Sequence, residues 1–88
     1  MTIRIEKESV KGRTLFRVSG RIALENLEEL KAEMRGLTSG ASLDLKHVTL
    51  VDVEGVRFLN ACEVDGIELR HCSAYIREWM ARERESQE

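Results

Sequence analysis

The chain has 88 residues, of which 42% are hydrophobic and 34% charged. This composition is typical of a soluble folded domain, and it is not that of a disordered segment. A chain of this length makes one domain with one thin core layer, which disfavours an elaborate buried active site. The formal net charge of -2 gives no strong positive field, so nucleic acid is not an expected partner.

The N-terminal residues and the cysteines bear on the cellular compartment. Residues 2–6 alternate between apolar and polar and lack the apolar core of a signal peptide. No apolar run approaches the roughly 20 residues of a membrane span. We therefore expect a cytoplasmic protein without direct membrane insertion, in which Cys62 and Cys72 are free thiols.

The first two elements are predicted to be half-buried strands. Residues 2–8 and 13–19 alternate between inward apolar and outward polar side chains. The short connection between them, Ser9-Val10-Lys11-Gly12, contains glycine and is typical of a hairpin. The two strands should therefore be antiparallel neighbours.

From Ala23 the pattern changes to a helical period, and one helical face carries Leu24, Leu27, Leu30 and Met34. Gly36 follows as a glycine C-cap. A strand is predicted over 42–48 and a second helix over 53–64. The buried stripe of this second helix should contain Leu59 and Cys62, with either Val56 or Phe58.

The last strand is predicted over 67–70, and Ser73 is placed to N-cap a third helix. Ile76, Trp79 and Met80 share its apolar face, so core packing is favoured for them; exposed, Trp79 and Met80 would anchor a partner. The polar residues after position 82 should fray, which gives a domain over 1–82 and a tail over 83–88.

The predicted fold is an α/β two-layer sandwich with the order β-β-α-β-α-β-α and a four-stranded mixed sheet. Right-handed crossovers that advance in one direction place the helices mainly on one face of the sheet. The strands alternate in polarity, so the other face should be solvated. Its expected residues are Arg4, Arg13, Arg17, Asp44, Lys46, Glu68 and Arg70.

Residues 42–59 have the sequence SLDLKHVTLVDVEGVRFL. This stretch resembles the signature of the STAS domain family, the anti-sigma-factor antagonists, in which a strand and a short apolar loop precede Asp-Ser-Ser/Thr-Gly at a helix start. Residues 18–26, VSGRIALEN, look like the family's strand-Gly-Arg segment, and the element order matches over roughly residues 2–80.

The resemblance implies a bacterial protein-binding module without a cofactor. Such modules dock onto a switch-protein kinase, the anti-sigma factor, which turns them off by phosphorylating a serine in the loop. Here Asp52 and Gly55 fit the ends of the motif, but Val53 and Glu54 occupy the two hydroxyl positions. The resemblance therefore implies the family fold, and it does not imply the phosphorylation switch.

The same resemblance leaves a second function open, because STAS modules are also cytoplasmic accessory parts of sulphate and lipid transport systems. The partner is then a transporter ATPase in place of an anti-sigma factor. An enzyme is a third and disfavoured alternative, since the sequence shows no catalytic constellation. Sequence alone does not separate the first two functions.

In both cases the expected partner-binding loop consists of Val51, Asp52, Val53, Glu54, Gly55 and Arg57. Asp52 stands where an N-cap belongs and should accept a hydrogen bond from the backbone of Glu54 or Gly55. Glu54 is either a helix-start carboxylate favoured by the helix dipole or a permanent mimic of the phosphorylated state.

The remaining reactive side chains form no recognisable site. His47 is over twenty residues from His71 and Cys72, and no further ligand completes a metal set. No third group is evident for a Cys-His dyad, and the glycines lack phosphate-loop spacing. A basic stripe of Arg13, Arg17 and Arg21 is expected to be neutralised on a solvated face by Glu6, Asp44 and Glu68.

Overall fold

The computed structural model of the chain describes residues 3–35 and 41–86. Its elements, in chain order, are β1 (Ile3–Val10), β2 (Arg13–Ile22), α1 (Leu24–Met34), β3 (Ser42–Val51), α2 (Val53–Val64), β4 (Glu68–Arg70) and α3 (Ala74–Ser86). The predicted order is confirmed. The expected helix C-cap at Gly36 lies outside the described residues.

The four strands form one mixed sheet in the order β1-β2-β3-β4. β1 and β2 are antiparallel, whereas β3 runs parallel to both β2 and β4. The hairpin loop is shorter than the sequence indicated, since β1 ends at Val10 and β2 begins at Arg13. Lys11 and Gly12 both have positive φ, of 51° and 79°, as a two-residue hairpin turn of type I′ requires.

One buried cluster joins the inward face of the sheet to all three helices. α1 and α2 lie against this face, and α3 packs against α2. Phe16 and Leu43 supply its centre from the sheet, and Leu30, Val56 and Leu59 supply it from the helices. The opposite face carries the charged residues of the alternating strands, as predicted. The fold is therefore the expected two-layer α/β sandwich.

Leu24 departs from the prediction, because it is 63% exposed although the helical period assigns it to the core. It is the first residue of α1, and Asn26 takes the inward position of this first turn. The Asn26 side chain is buried and donates a hydrogen bond from Nδ2 to the Arg21 carbonyl, 3.0 Å away. The helix start is thus fixed by a polar contact with the end of β2.

The sequence analysis placed a domain over 1–82 and a frayed tail at 83–88, and this division stays a prediction. In the structure α3 continues to Ser86, and residues 87–88 are outside the described part of the chain. Glu83 forms an ion pair with Arg57, and the Arg84 guanidinium contacts Asn60 and Glu63, all three on α2. These contacts with a neighbouring helix support the last turns of α3.

Candidate functional site

Asp52 joins the N-termini of two helices. It is the N-cap of α2, and its Oδ1 accepts a hydrogen bond from the Gly55 backbone N–H at 2.7 Å. Its Oδ2 accepts from the Leu24 backbone N–H at 3.0 Å. The first turn of α1 has no side-chain cap of its own, so Asp52 satisfies a donor there that would otherwise lack an intrahelical partner.

Gly55 is required by close packing between α2 and the end of β2. A Cβ at this position would lie 2.0 Å from the Ile22 carbonyl oxygen, far inside van der Waals contact. The same carbonyl accepts a hydrogen bond from the Asp52 backbone N–H at 3.3 Å. The two ends of the Asp-Val-Glu-Gly segment therefore hold the start of α2 against the sheet.

The six residues of the expected partner-binding loop are brought to one end of the sheet, but they differ in access. Val51 and Gly55 are buried, so their side-chain positions are not open to a partner. Asp52, Val53 and Glu54 are half-buried. Arg57 is exposed on the first turns of α2. The accessible surface therefore begins at Val53 and continues through Glu54 to Arg57.

Arg57 links Glu54 to the third helix. Its Nη1 lies 3.2 Å from the Glu54 carboxylate, and its Nε donates to Glu83 of α3 at 3.0 Å. The Glu83 carboxylate, and more weakly that of Glu54, raise the pKa of Arg57 above its ordinary value. The charge of Glu54 is thus partly compensated within the chain by a neighbouring cation.

Two exposed leucines flank the loop and were not assigned to it from the sequence. Leu24 donates its backbone N–H to Asp52, and Leu50, which is 43% exposed, precedes Val51 at the end of β3. Both leucine side chains are therefore accessible to a partner beside the loop. Exposure depends on where the helix and the strand end, so periodicity alone could not have shown it.

Neither loop position 53 nor position 54 carries a hydroxyl, so the two hydroxyls of β3, Ser42 and Thr49, are the alternative phosphoacceptors. Ser42 is buried at the start of β3, where its Oγ donates to Glu68 at 3.1 Å. Thr49 is exposed, and its Oγ1 donates to the Gly20 carbonyl at 3.1 Å. Of these two hydroxyls, Thr49 is the accessible one.

The histidines and cysteines lie in separate environments. Nδ1 of His71 is 3.0 Å from Asp44, whereas His47 lies opposite Ser19 in the sheet register. Burial raises the pKa of the half-buried Cys72 thiol, which disfavours a reactive thiolate. In the described part of the chain, no three His, Cys, Asp or Glu side chains are placed to hold a metal ion.

The charged sheet face contains more specific pairs than the sequence indicated. Arg17 forms its ion pair with Glu8, at 2.7 Å, whereas Glu6 contacts Arg4.

On α3, Met80 is buried as predicted, and Trp79 is half-buried against the core with Tyr75 beside it. Within residues 3–35 and 41–86, no helix is long and apolar enough to cross a membrane.

Two solved structures of anti-sigma-factor antagonists resemble this fold. The structure of SpoIIAA in its unphosphorylated form has a TM-score of 0.66 at 16% identity, covering 85% of this chain and 79% of that one. The STAS domain of an antagonist from Rhodobacter sphaeroides has a TM-score of 0.58 at 22% identity, covering 77% of this chain and 83% of that one. No family model and no curated protein sequence matches the chain.

Proposed function

We propose that this STAS-like chain is a cytoplasmic protein-binding module of a bacterial regulatory system, of the anti-sigma-factor-antagonist kind, and that it lacks a phosphorylation switch in its loop. The observation that supports this proposal is a STAS-like fold in which Asp52 and Gly55 form the start of α2. Val53 and Glu54 occupy the two positions at which the family has hydroxyl side chains. The partner is a switch-kinase anti-sigma factor. A transporter ATPase is the alternative partner.

The proposed contact surface, called here the loop surface, consists of Leu24, Leu50, Val53, Glu54 and Arg57. Leu50 and Val53 are within two positions of Asp52 in the sequence, and Leu24 donates its backbone N–H to the Asp52 carboxylate. Its charged members form the edge that faces α3. An apolar centre with a polar rim is the usual composition of a protein interface.

Glu54 has two possible roles, and its contacts favour structural support. A phosphate mimic acts through uncompensated negative charge, but Arg57 already pairs with this carboxylate at 3.2 Å. A carboxylate in the first turn is also favoured by the helix dipole, typically by about 0.3–1 kcal/mol. We therefore expect the module to be constitutively able to bind.

The test is titration calorimetry of the chain against the anti-sigma kinase encoded in the same genome. Leu24→Ala should weaken binding about tenfold, because Leu24 is placed at the centre of the surface, where the few side chains that cost over about 1 kcal/mol on truncation cluster. The matched control is Val64→Ala, which removes an apolar side chain that is 82% exposed at the other end of α2. Equal affinities for the two variants would contradict the assigned surface.

The same preparation tests the regulatory part of the proposal. The wild-type chain should not be phosphorylated by the kinase, whereas Glu54→Ser should restore an acceptor and leave affinity nearly unchanged. Stronger binding by Glu54→Ser would instead assign Glu54 as a phosphate mimic. Phosphate found on wild-type Thr49 or Ser42 would contradict the absence of a switch. Binding to a transporter ATPase and not to the kinase would assign the alternative function.

A further inference from the structure

A shallow cleft of about 230 Å³ lies on the charged face of the sheet, at the end that contains the β1–β2 hairpin. Its lining consists of Val10, Lys11, Arg13, Leu15, Ser42 and Arg70. Ser42 begins β3 and Val51 ends it, at the other end of this strand of 10 residues. At about 3.3 Å per strand residue, the cleft is roughly 30 Å from the loop surface.

The lining of this cleft is positively charged. It includes three cationic side chains and no carboxylate. Of the adjacent carboxylates, Glu68 accepts from Arg70 of this lining at 3.2 Å, and Glu8 pairs with Arg17, which lies outside the lining, at 2.7 Å. Within residues 3–35 and 41–86, the Lys11 ammonium has no carboxylate partner.

The contacts of Glu68 show that a carboxylate is stabilised beside the cleft. Its Oε1 receives hydrogen bonds from the Ser42 hydroxyl at 3.1 Å and from the Arg70 Nε at 3.2 Å. Arg70, then Ser42 and, at longer range, Arg13 hold the pKa of the Glu68 carboxyl below its ordinary value. A carboxylate is therefore stabilised beside the cleft, and Arg70 contacts it through only one of its five N–H groups.

The cleft also contains exposed aliphatic surface. Val10 is 43% exposed, and Leu15 is half-buried on the same open face. In the sheet register Val10 pairs with the cation Arg13 and Leu15 pairs with the polar Ser42, so each apolar side chain lies beside a polar side chain of the lining. A ligand that covers this surface needs both an anionic group and a short hydrocarbon part.

We propose that the cleft binds a small carboxylate that carries a short aliphatic chain. The carboxylate lies between Lys11, Arg13 and Arg70, and the chain covers Val10 and Leu15. This site uses none of the loop surface, so it does not depend on the function proposed above. The protein then has a binding site for a small molecule on the sheet face opposite to its helices.

The first test is a titration of the ¹⁵N-labelled chain, followed by amide chemical shifts at neutral pH and constant ionic strength. Hexanoate is the probe, with acetate and hexanol as controls that retain only the charge or mainly the apolar part. Hexanoate should shift the amides of residues 10–15 and 42 and saturate. Its affinity should exceed that of acetate about tenfold, because two buried methylene groups suffice for this difference.

Equal binding of acetate and hexanoate would reduce the cleft to an adventitious ion site and overturn the proposal. Equal binding of hexanol and hexanoate would show that the cations contribute nothing, which also overturns it. Shifts spread over the helices, or an absence of saturation, would show that no site is formed. Each of these outcomes leaves the partner-binding experiment unaffected.

Variants then locate the site. Lys11→Asn removes a cation while suiting the positive φ of the turn, and it should weaken hexanoate binding about threefold. Val10→Thr keeps a β-branched side chain and should weaken hexanoate binding without changing the response to acetate. Lys31→Gln on α1 is the control for net charge. Equal losses for Lys31→Gln and Lys11→Asn would indicate general electrostatic attraction and contradict the assignment.

Discussion

Asp52 is the residue on which the loop geometry depends most directly. Both oxygens of one carboxylate accept backbone hydrogen bonds, one at the start of α2 and one at the start of α1. Loss of an N-cap typically costs about 1 kcal/mol, and a second unsatisfied donor adds a similar amount. Asp52→Ala should therefore lower the free energy of unfolding by about 2 kcal/mol, measured by urea denaturation.

Asp52→Asn separates the two contacts, because the amide retains one acceptor oxygen and presents a donor at the second position. Its loss of stability should fall between those of the wild type and of the alanine variant. Asp65→Ala, at the exposed C-cap of α2, is the control and should change stability by less than about 0.5 kcal/mol. A loss as small in Asp52→Ala would contradict the double cap.

Only half of this arrangement could be predicted from the sequence. The hydrogen bond from Gly55 to Asp52 spans three residues, and the spacing of an N-cap indicates it directly. The bond from Leu24 spans 28 residues and exists only because β2 and β3 end side by side. The same tertiary placement exposes Leu24, which the helical period had assigned to the core.

At the scale of elements, α3 is attached to α2 by a polar network beside its apolar face. The buried Asn60 donates to the Met80 carbonyl at 3.1 Å and accepts from the Arg84 Nε at 2.8 Å. The Glu63 carboxylate accepts from both Arg77 and Arg84. This network supports the last turns of α3, which include residues whose polarity predicted fraying.

Two glutamates test the contribution of that network. Glu63→Gln removes a charge that two arginines of another helix contact, and it should lower the free energy of unfolding by about 1 kcal/mol. Glu78→Gln breaks an exposed pair within α3, with Arg82 at 2.8 Å, and should cost less than about 0.5 kcal/mol. Urea denaturation of both variants provides the comparison. Equal costs would show that Glu63 does not hold α3 to α2.

The order of elements was predictable because alternation and the helical period are local signals that the packing preserved. The element ends were less predictable. The tail was assigned to residues 83–88 on polarity alone, yet Glu83 and Arg84 have partners on α2 that no local pattern reveals. Likewise, the arginines of the sheet face were expected, but the ion pair of Arg17 was not. The register places Glu6 opposite Arg17, and Arg17 pairs instead with Glu8, diagonally across the two strands.

At the scale of the whole molecule, the structure predicts loss of stability at both ends of the pH range. For Glu63, burial raises the pKa, but hydrogen bonds and charge from Arg77 and Arg84 outweigh this effect and hold it below the ordinary value of 4.5. The pKa of Asp44 is also lowered, since its contacts with the Lys46 backbone N–H and His71 outweigh burial. Stability from these carboxylates is present above their ordinary pKa values and is lost as the pH falls below them.

At high pH, stability is instead lost as the pH rises, and the Cys62 thiol contributes most to this loss. Burial, followed by the charges of Asp65 and Glu63, raises the pKa of this thiol from 9.0 to about 12. Above pH 9 the unfolded chain therefore releases a proton that the folded chain keeps, and stability falls until the folded thiol also ionises. Over the first pH unit above 9, this loss should amount to about 1 kcal/mol.

Cys62→Ala isolates this effect in urea denaturation measured across the alkaline range. The substitution leaves a cavity that lowers stability equally at every pH, so the slope of stability against pH is the informative quantity. The slope should flatten above pH 9 in Cys62→Ala, and much less in Cys72→Ala, whose thiol is only half-buried. An unchanged slope in Cys62→Ala would mean that water reaches the thiol, and that the contact between α2 and the sheet is looser than the buried cluster indicates.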